Sequence, residues 1–262
     1  MKFCRFVPLE TSTSRPTPPA YGLLEDEEVH EISGTPWTQW SRTSHVRRLG
    51  VVRLVAPVDP PKIVCVGRNY AAHAAELGND VPKEPLIFLK PSSSIVSDGE
   101  PIVLPTYSKR VEHEGELALV IGRRCSQLRD TDEALENVLG YTCLNDVTAR
   151  DLQKSDVQFT RAKSFDTFCP IGPHIETDLD PADVLVETYV NGTLRQSGST
   201  SLMTYPCVFL VRWLSRMMTL HPGDVVTTGT PAGVGPLVPG DTVEVRIAGI
   251  GVLRNPVHAP QA

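Results

Sequence analysis

No stretch of this 262-residue chain approaches the roughly 18 consecutive apolar residues that suggest a membrane span. The opening Met1-Lys2-Phe3-Cys4-Arg5-Phe6 lacks the apolar core of a secretory signal, so a cytoplasmic location is expected. The six cysteines (Cys4, Cys65, Cys125, Cys143, Cys169 and Cys207) are scattered, and no Cys-x-x-Cys pair occurs. That disfavours thiolate zinc sites and a thioredoxin-like motif, and leaves the thiols as small buried hydrophobes of a reducing compartment. Basic residues are also few: 25 Lys+Arg against 31 Asp+Glu give a net charge of −6. No basic stripe of the kind that binds nucleic acid is found, and the balance suits a small-molecule partner.

Regular alternation of strands and helices is missing too, which disfavours a Rossmann fold or an alternating barrel. Hydrophobic residues at 40% and charged residues at 21% describe an ordinary globular chain. The 23 prolines and 19 glycines fall as punctuation between short apolar runs, the pattern of many strands joined by turns. Strand-like pieces at Lys2–Val7, Gly22–Leu24, Val29–Ile32 and Val51–Val55 precede Ala56-Pro57-Val58-Asp59-Pro60-Pro61. Those prolines stiffen the chain and interrupt hydrogen-bonded structure, so residues 1–58 are expected to form an accessory β module and 59–262 the working domain.

Beyond the link, Lys62–Gly67 reads as a buried strand, and Tyr70–Leu77 as two helical turns stopped at Gly78. Leu117–Ile121 is apolar throughout, as a strand covered on both faces would be. Asp130 with Glu133 reads as a capping box, with Gly140 as the helix stop. Asn191-Gly192 predicts a hairpin turn. Thr204 and Pro206 open a helix whose apolar face carries Phe209, Leu210, Trp213, Leu214 and Met217. The expected class is β-rich α+β.

Chemistry concentrates in Glu112-His113-Glu114-Gly115-Glu116-Leu117. Alternation along a strand points Glu114 and Glu116 the same way, about 7 Å apart, at the entry to a wholly apolar run. Two shielded carboxylates repel, and a hard divalent cation (Mg²⁺, Mn²⁺ or Ca²⁺) would relieve them; an edge strand with solvated glutamates fits the spacing equally well. Asp146 is the third candidate ligand, although an isolated Asp before a helical turn is commonly only its cap. Arg150 and Gln153, three apart, share a helical face that could grip a carboxylate or simply meet solvent.

His73 and Glu76 also share a helical face, so the carboxylate can orient the imidazole as a general base. Gly67-Arg68-Asn69-Tyr70 and Gly78-Asn79-Asp80 flank the pair like joints of a lid. Lys163 could meet a developing oxyanion or be a surface lysine. The loop Thr228–Gly235 lacks the Gly-Lys-Ser/Thr ending of a phosphate loop, and suits close backbone approach to a carboxylated substrate better.

Taken in order, Val66-Gly67-Arg68-Asn69-Tyr70 with His73 and Glu76, Phe88-Leu89-Lys90-Pro91, His113–Leu117, Asn145–Asp151, Ala162-Lys163-Ser164-Phe165 and Thr228–Gly235 resemble the fumarylacetoacetate hydrolase superfamily across roughly residues 62–257. The resemblance implies a mixed β-roll and a Mg²⁺ or Mn²⁺ ion on Glu114, Glu116 and Asp146. It implies a catalytic His73–Glu76 dyad on a lid, Lys163 facing an oxyanion or enolate, and substrate contacts from Arg150, Gln153 and Thr230. The substrates it implies are 2-oxo or 2,4-dioxo carboxylic acids, and the assembly a homodimer. Hydrolysis of a carbon–carbon bond in an acylpyruvate is the expected reaction. Decarboxylation of oxaloacetate, or isomerisation and tautomerisation of a 2-hydroxydienoate, stand as alternatives.

Overall fold

The computed structural model describes residues 1–9 and 17–260. The chain opens with antiparallel strands β1 (Lys2–Pro8), β2 (Ala20–Glu25), β3 (Glu28–Ser33) and β4 (Ser41–Arg48), and β5 (Val52–Val55) returns beside β1. After the proline link come β6 (Ile63–Gly67), helix α1 (Ala71–Glu76) and β7 (Leu86–Lys90). Next are β8 (Ile95–Val96), β9 (Ile102–Val103), β10 (Val111–His113), β11 (Gly115–Ile121), β12 (Val138–Asn145) and β13 (Thr148–Ala149). Short helices α2 (Arg150–Ser155) and α3 (Thr160–Lys163) lead to β14 (Cys169–Glu176) and the hairpin β15 (Leu185–Val190) and β16 (Thr193–Ser199). Helix α4 (Cys207–Met217) is followed by β17 (Val225–Thr227), β18 (Gly235–Pro236), β19 (Thr242–Ile247) and β20 (Gly251–His258).

Among the described residues, twelve strands form one mixed sheet along the path β4-β3-β2-β1-β14-β12-β11-β17-β6-β7, with β5 on β1 and β8 on β14. A second sheet runs β16-β15-β19-β20-β9, and β13-β10-β18 form a third. The β-rich α+β expectation holds. Strand β11 explains its own sequence: Leu117, Leu119 and Ile121 face a core shared with Val186, Val245 and α4, while Ala118 and Val120 face Ile63, Ile171 and Val225. Each such side chain removed from water contributes roughly 1.5–3 kcal/mol, and β11 thus fixes the strand that carries Glu116. The N-terminal strands enter the same sheet, with Lys2 and Phe3 of β1 opposite Glu176 and Ile175 of β14.

Three local expectations fail for identifiable reasons. The Asp130/Glu133 capping box does not start an α-helix; Asp132 instead accepts from Arg129, and only a 3-10 turn forms at Ala134–Asn137. Gly140 is not a helix stop but lies inside β12, where a Cβ would stand 2.4 Å from the Glu176 carbonyl oxygen. In α4 the buried face is Cys207, Leu210, Val211, Leu214 and Ser215, so Phe209 and Met217 face outward. The Asn191-Gly192 turn forms as expected, both residues at positive φ, and all six cysteines are buried and free.

Because β12 approaches β14 so closely at Gly140, Gly140→Ala is expected to destabilise by about 1–3 kcal/mol. Urea denaturation should show a lower midpoint with an unchanged slope. An unchanged midpoint would mean that the strands are not in this register.

Candidate active site

The twelve-stranded sheet delivers its chemistry at one end of β11. Between β10 and β11 the ladder is interrupted at Glu114, whose N–H donates to Asn145 Oδ1 at 2.9 Å and whose carbonyl accepts from Asp146 N–H at 2.8 Å. This local exchange brings the turn after β12 against the start of β11. Ligand oxygens of Glu114, Glu116 and Asp146 consequently lie within 4.8 Å of one another, all three residues buried. They sit on the floor of a cavity of about 370 Å³ whose wall includes His73, Arg150, Gln153, Lys163 and Thr230.

Buried charge is balanced almost completely by protein groups. Lys163 Nζ bridges Glu114 Oε2 at 2.8 Å and Asp146 Oδ2 at 2.6 Å, and rests 5.0 Å from the Phe88 ring centroid. Lys90 Nζ reaches Asp146 Oδ1 at 2.7 Å. The Arg150 guanidinium donates to Glu112 Oε2 at 2.6 Å, and also to Glu114 and Gln153. Burial pulls the Lys163 ammonium toward neutrality, but Asp146 and Glu114 outweigh it and keep the charge. Burial likewise opposes ionisation of Glu114, and Lys163 and Arg150 overcome it, holding its carboxyl below the usual range.

Glu116 is the exception. Its Oε2 accepts from the Gly229 N–H at 2.9 Å, and among the described residues it has no cationic partner. Burial, then the facing Asp146 and Glu114 carboxylates, pushes its carboxyl well above the ordinary value. Glu112 is paired with Arg110 and Arg150, Glu114 with Arg150 and Lys163, and Asp146 with Lys90 and Lys163, so of these four buried carboxylates Glu116 alone pairs with no cation among the described residues. An all-oxygen set of clustered carboxylates, one of them without a cationic partner, fits a hard divalent ion of the Mg²⁺, Mn²⁺ or Ca²⁺ type. Glu114, Glu116 and Asp146 are the residues that would hold it.

The dyad meets the same cavity. His73, buried on α1, places Nδ1 3.4 Å from Glu76 Oε2, and Glu76 in turn accepts from the Gly233 N–H at 3.1 Å. The segment before α1 is not a loose joint: Asn69 is fully buried, donating to Tyr205 O at 3.0 Å and Thr228 O at 2.8 Å. Thr230 lines the cavity, but its hydroxyl is committed, donating to Gly115 O at 2.8 Å and accepting from Gln196 Nε2 at 2.7 Å. Its backbone N–H is the group left for a substrate.

Several residues escaped the sequence reading of the site. Gln196 ties His113 Nδ1 at 3.0 Å, Gly115 N–H at 3.1 Å and Pro231 O at 2.7 Å to Thr230. A register shift between Thr188 and Tyr189 leaves both Leu194 and Arg195 exposed, so alternation along β16 does not mark Gln196 as its buried position. Lys90 lies in the Phe88–Pro91 segment, and its place at the buried end of β7 is its only signal. Glu112 carried none beyond its neighbours.

A model described as Fumarylacetoacetate (FAA) hydrolase C-terminal matches residues 62–258, and the chain belongs to that family. A second, described as Rv2993c-like, N-terminal, matches residues 1–57. Among similar proteins, a mitochondrial oxaloacetate tautomerase of Bos taurus is 40% identical over 205 residues, 76% of this chain and 92% of that one. The solved 5-carboxymethyl-2-hydroxymuconate delta-isomerase from Mycobacterium smegmatis has TM-score 0.89 at 46% identity, covering 99% of this chain and 100% of that chain. The 2-hydroxyhepta-2,4-diene-1,7-dioate isomerase from Mycobacterium marinum has TM-score 0.89 at 45% identity over the whole of both chains. Among the described residues, no helix is long and apolar enough to cross a membrane.

Protonated Glu116 stabilises the fold fully below the ordinary carboxylate range, and that contribution is lost as pH rises through its elevated value. Metal-free protein should therefore weaken over that interval. An ion at a hundred times its dissociation constant adds about 2.7 kcal/mol. Differential scanning calorimetry should show a Mg²⁺-dependent rise in Tm that grows with pH and disappears in Glu116→Gln. A rise independent of both would remove Glu116 from the binding set.

Proposed function

We propose that the protein is a divalent-metal-dependent enzyme that moves a proton at the carbon beside the 2-oxo group of a small 2-oxo acid. Its reaction would be keto–enol tautomerisation, or double-bond isomerisation of a 2-hydroxydienoate-type substrate. The observation that carries this reading is a single cavity holding three clustered carboxylates on its floor and a Glu-oriented histidine on its wall. A bound Mg²⁺ or Mn²⁺ would polarise the 2-oxo carbonyl and acidify the adjacent C–H.

The protein groups divide the remaining work. With Nδ1 held by Glu76, His73 has Nε2 to take the proton from C3. The electron pair left behind becomes the C2–C3 double bond, and charge moves to the C2 oxygen. Two of the three Lys163 donors are engaged with Glu114 and Asp146, and the third can meet that oxygen. Return of the proton to the oxygen completes the enol with no net change in atoms or charge. Arg150 and Gln153 on α2 and the Thr230 N–H supply contacts for the substrate carboxylate. A homodimer is part of the same proposal.

The sequence reading favoured hydrolytic cleavage of an acylpyruvate, and one observation still supports it: the His73–Glu76 pair is intact and could activate water. Tautomerase and isomerase relatives support proton transfer instead, and that chemistry needs the same base without an attacking water.

With Mg²⁺, the enol absorbance of oxaloacetate should relax far faster with protein than without, and a chelator should abolish the effect. His73→Ala should lower the rate by roughly 10²–10⁴-fold while the Mg²⁺-dependent Tm rise persists. Mass analysis of acetylpyruvate and fumarylpyruvate reactions decides between the readings: faster cleavage to pyruvate than tautomerisation would replace this proposal with the hydrolase.

A further inference from the structure

The cations on the cavity floor are all spent on protein carboxylates: Lys90 on Asp146, Lys163 on Glu114 and Asp146, Arg150 on Glu112 and Glu114. Two further cations line the same cavity. Arg68 is partly buried and Lys154 exposed, and neither forms an ion pair among the described residues. The fourth lining acid, Asp156, is already engaged by Arg161.

Arg68 is held in an unusual place. Its φ is +58°, in the left-handed region that L side chains rarely adopt. The next residue fastens it there: Asn69 accepts from Tyr205 N–H at 2.8 Å through Oδ1 and from Thr204 N–H at 2.7 Å through its carbonyl. The same side chain donates to Tyr205 O and Thr228 O. Glycine would occupy this backbone conformation without strain. A guanidinium maintained there against that preference, unpaired at a ligand cavity, implies a task for the side chain.

Charge defines the task. On the floor every cation already pairs with a protein carboxylate, so a substrate carboxylate there would rely on a bound divalent ion. Arg68 and Lys154 add to the cavity lining positive charge that no protein carboxylate uses. We propose that Arg68 is a specificity-determining residue that receives a second carboxylate, so that the substrates are 2-oxo dicarboxylates rather than 2-oxo monocarboxylates. The assignment rests on the proposed function and deepens it.

Two probes separate the ends of the molecule. Oxaloacetate and 2-oxobutyrate have the same number of carbons and differ by a distal carboxylate in place of a methyl. Oxalate carries only the end that meets the cavity floor. In Mg²⁺-loaded wild type, oxaloacetate should be preferred over 2-oxobutyrate at least tenfold in KM or inhibition constant. Arg68→Met should raise the oxaloacetate KM roughly 10–100-fold and erase the preference, as expected for losing one charge-assisted contact. The oxalate dissociation constant, read by titration calorimetry, should stay within about twofold. Arg68→Lys should fall between. Arg68→Gly should show the same loss of preference with a Tm no lower than wild type, which separates recognition from folding. An unchanged preference in Arg68→Met, or equal weakening of oxalate and oxaloacetate, overturns the assignment. Failure of wild type to bind oxalate at all would instead defeat the underlying function, and this assignment with it.

Discussion

The site depends on the cost of burying carboxylates. Glu112, Glu114, Glu116 and Asp146 are all withdrawn from water, and isolated charges at such depth are prohibitively expensive. Lys90, Arg150 and Lys163 offset most of this cost through short, charge-assisted hydrogen bonds. Glu116 is left without a cation, on a strand whose two faces are both packed against core. Oxygens able to hold a cation are thus gathered by interactions among protein groups.

The fold serves this arrangement through two kinds of support. Strands β11 and β12 fix the floor by their own ladder, from Gly115 opposite Asn145 onward. The wall is held by side chains that bridge separate segments. Asn69 binds the end of β6 to the loops at Tyr205 and Thr228, and Gln196 binds the start of β11 to Thr230 and Pro231. Each of these amides uses both its donor and its acceptor ends, so each fixes the relative placement of segments far apart in sequence.

Much of the floor was legible in the sequence because strand alternation is a strict rule. Glu114 and Glu116 two apart, followed by an apolar run, already placed two acids on one side at the edge of the core. The Asn191-Gly192 hairpin was readable because local backbone chemistry decides it. Asp146 was readable in position but not in partners, since its approach to Glu114 depends on a bond between residues 32 apart in number. Gln196 and Lys90 were opaque because their significance comes from what the folded chain brings to them. Asp130, Glu133 and Gly140 misled because capping and stopping signals are local, and pairing of β12 with β11 and β14 overruled them.

Glu76 holds the imidazole of His73 with one oxygen, while both its oxygens lie within reach of the Gly233 amide on the glycine loop. The orienting group for the base thus doubles as the clasp that seats α1. A helix swung away from the glycine loop would carry an imidazole whose partner had lost its anchor. The setting of the imidazole and the seating of its helix are in this way yoked to one side chain.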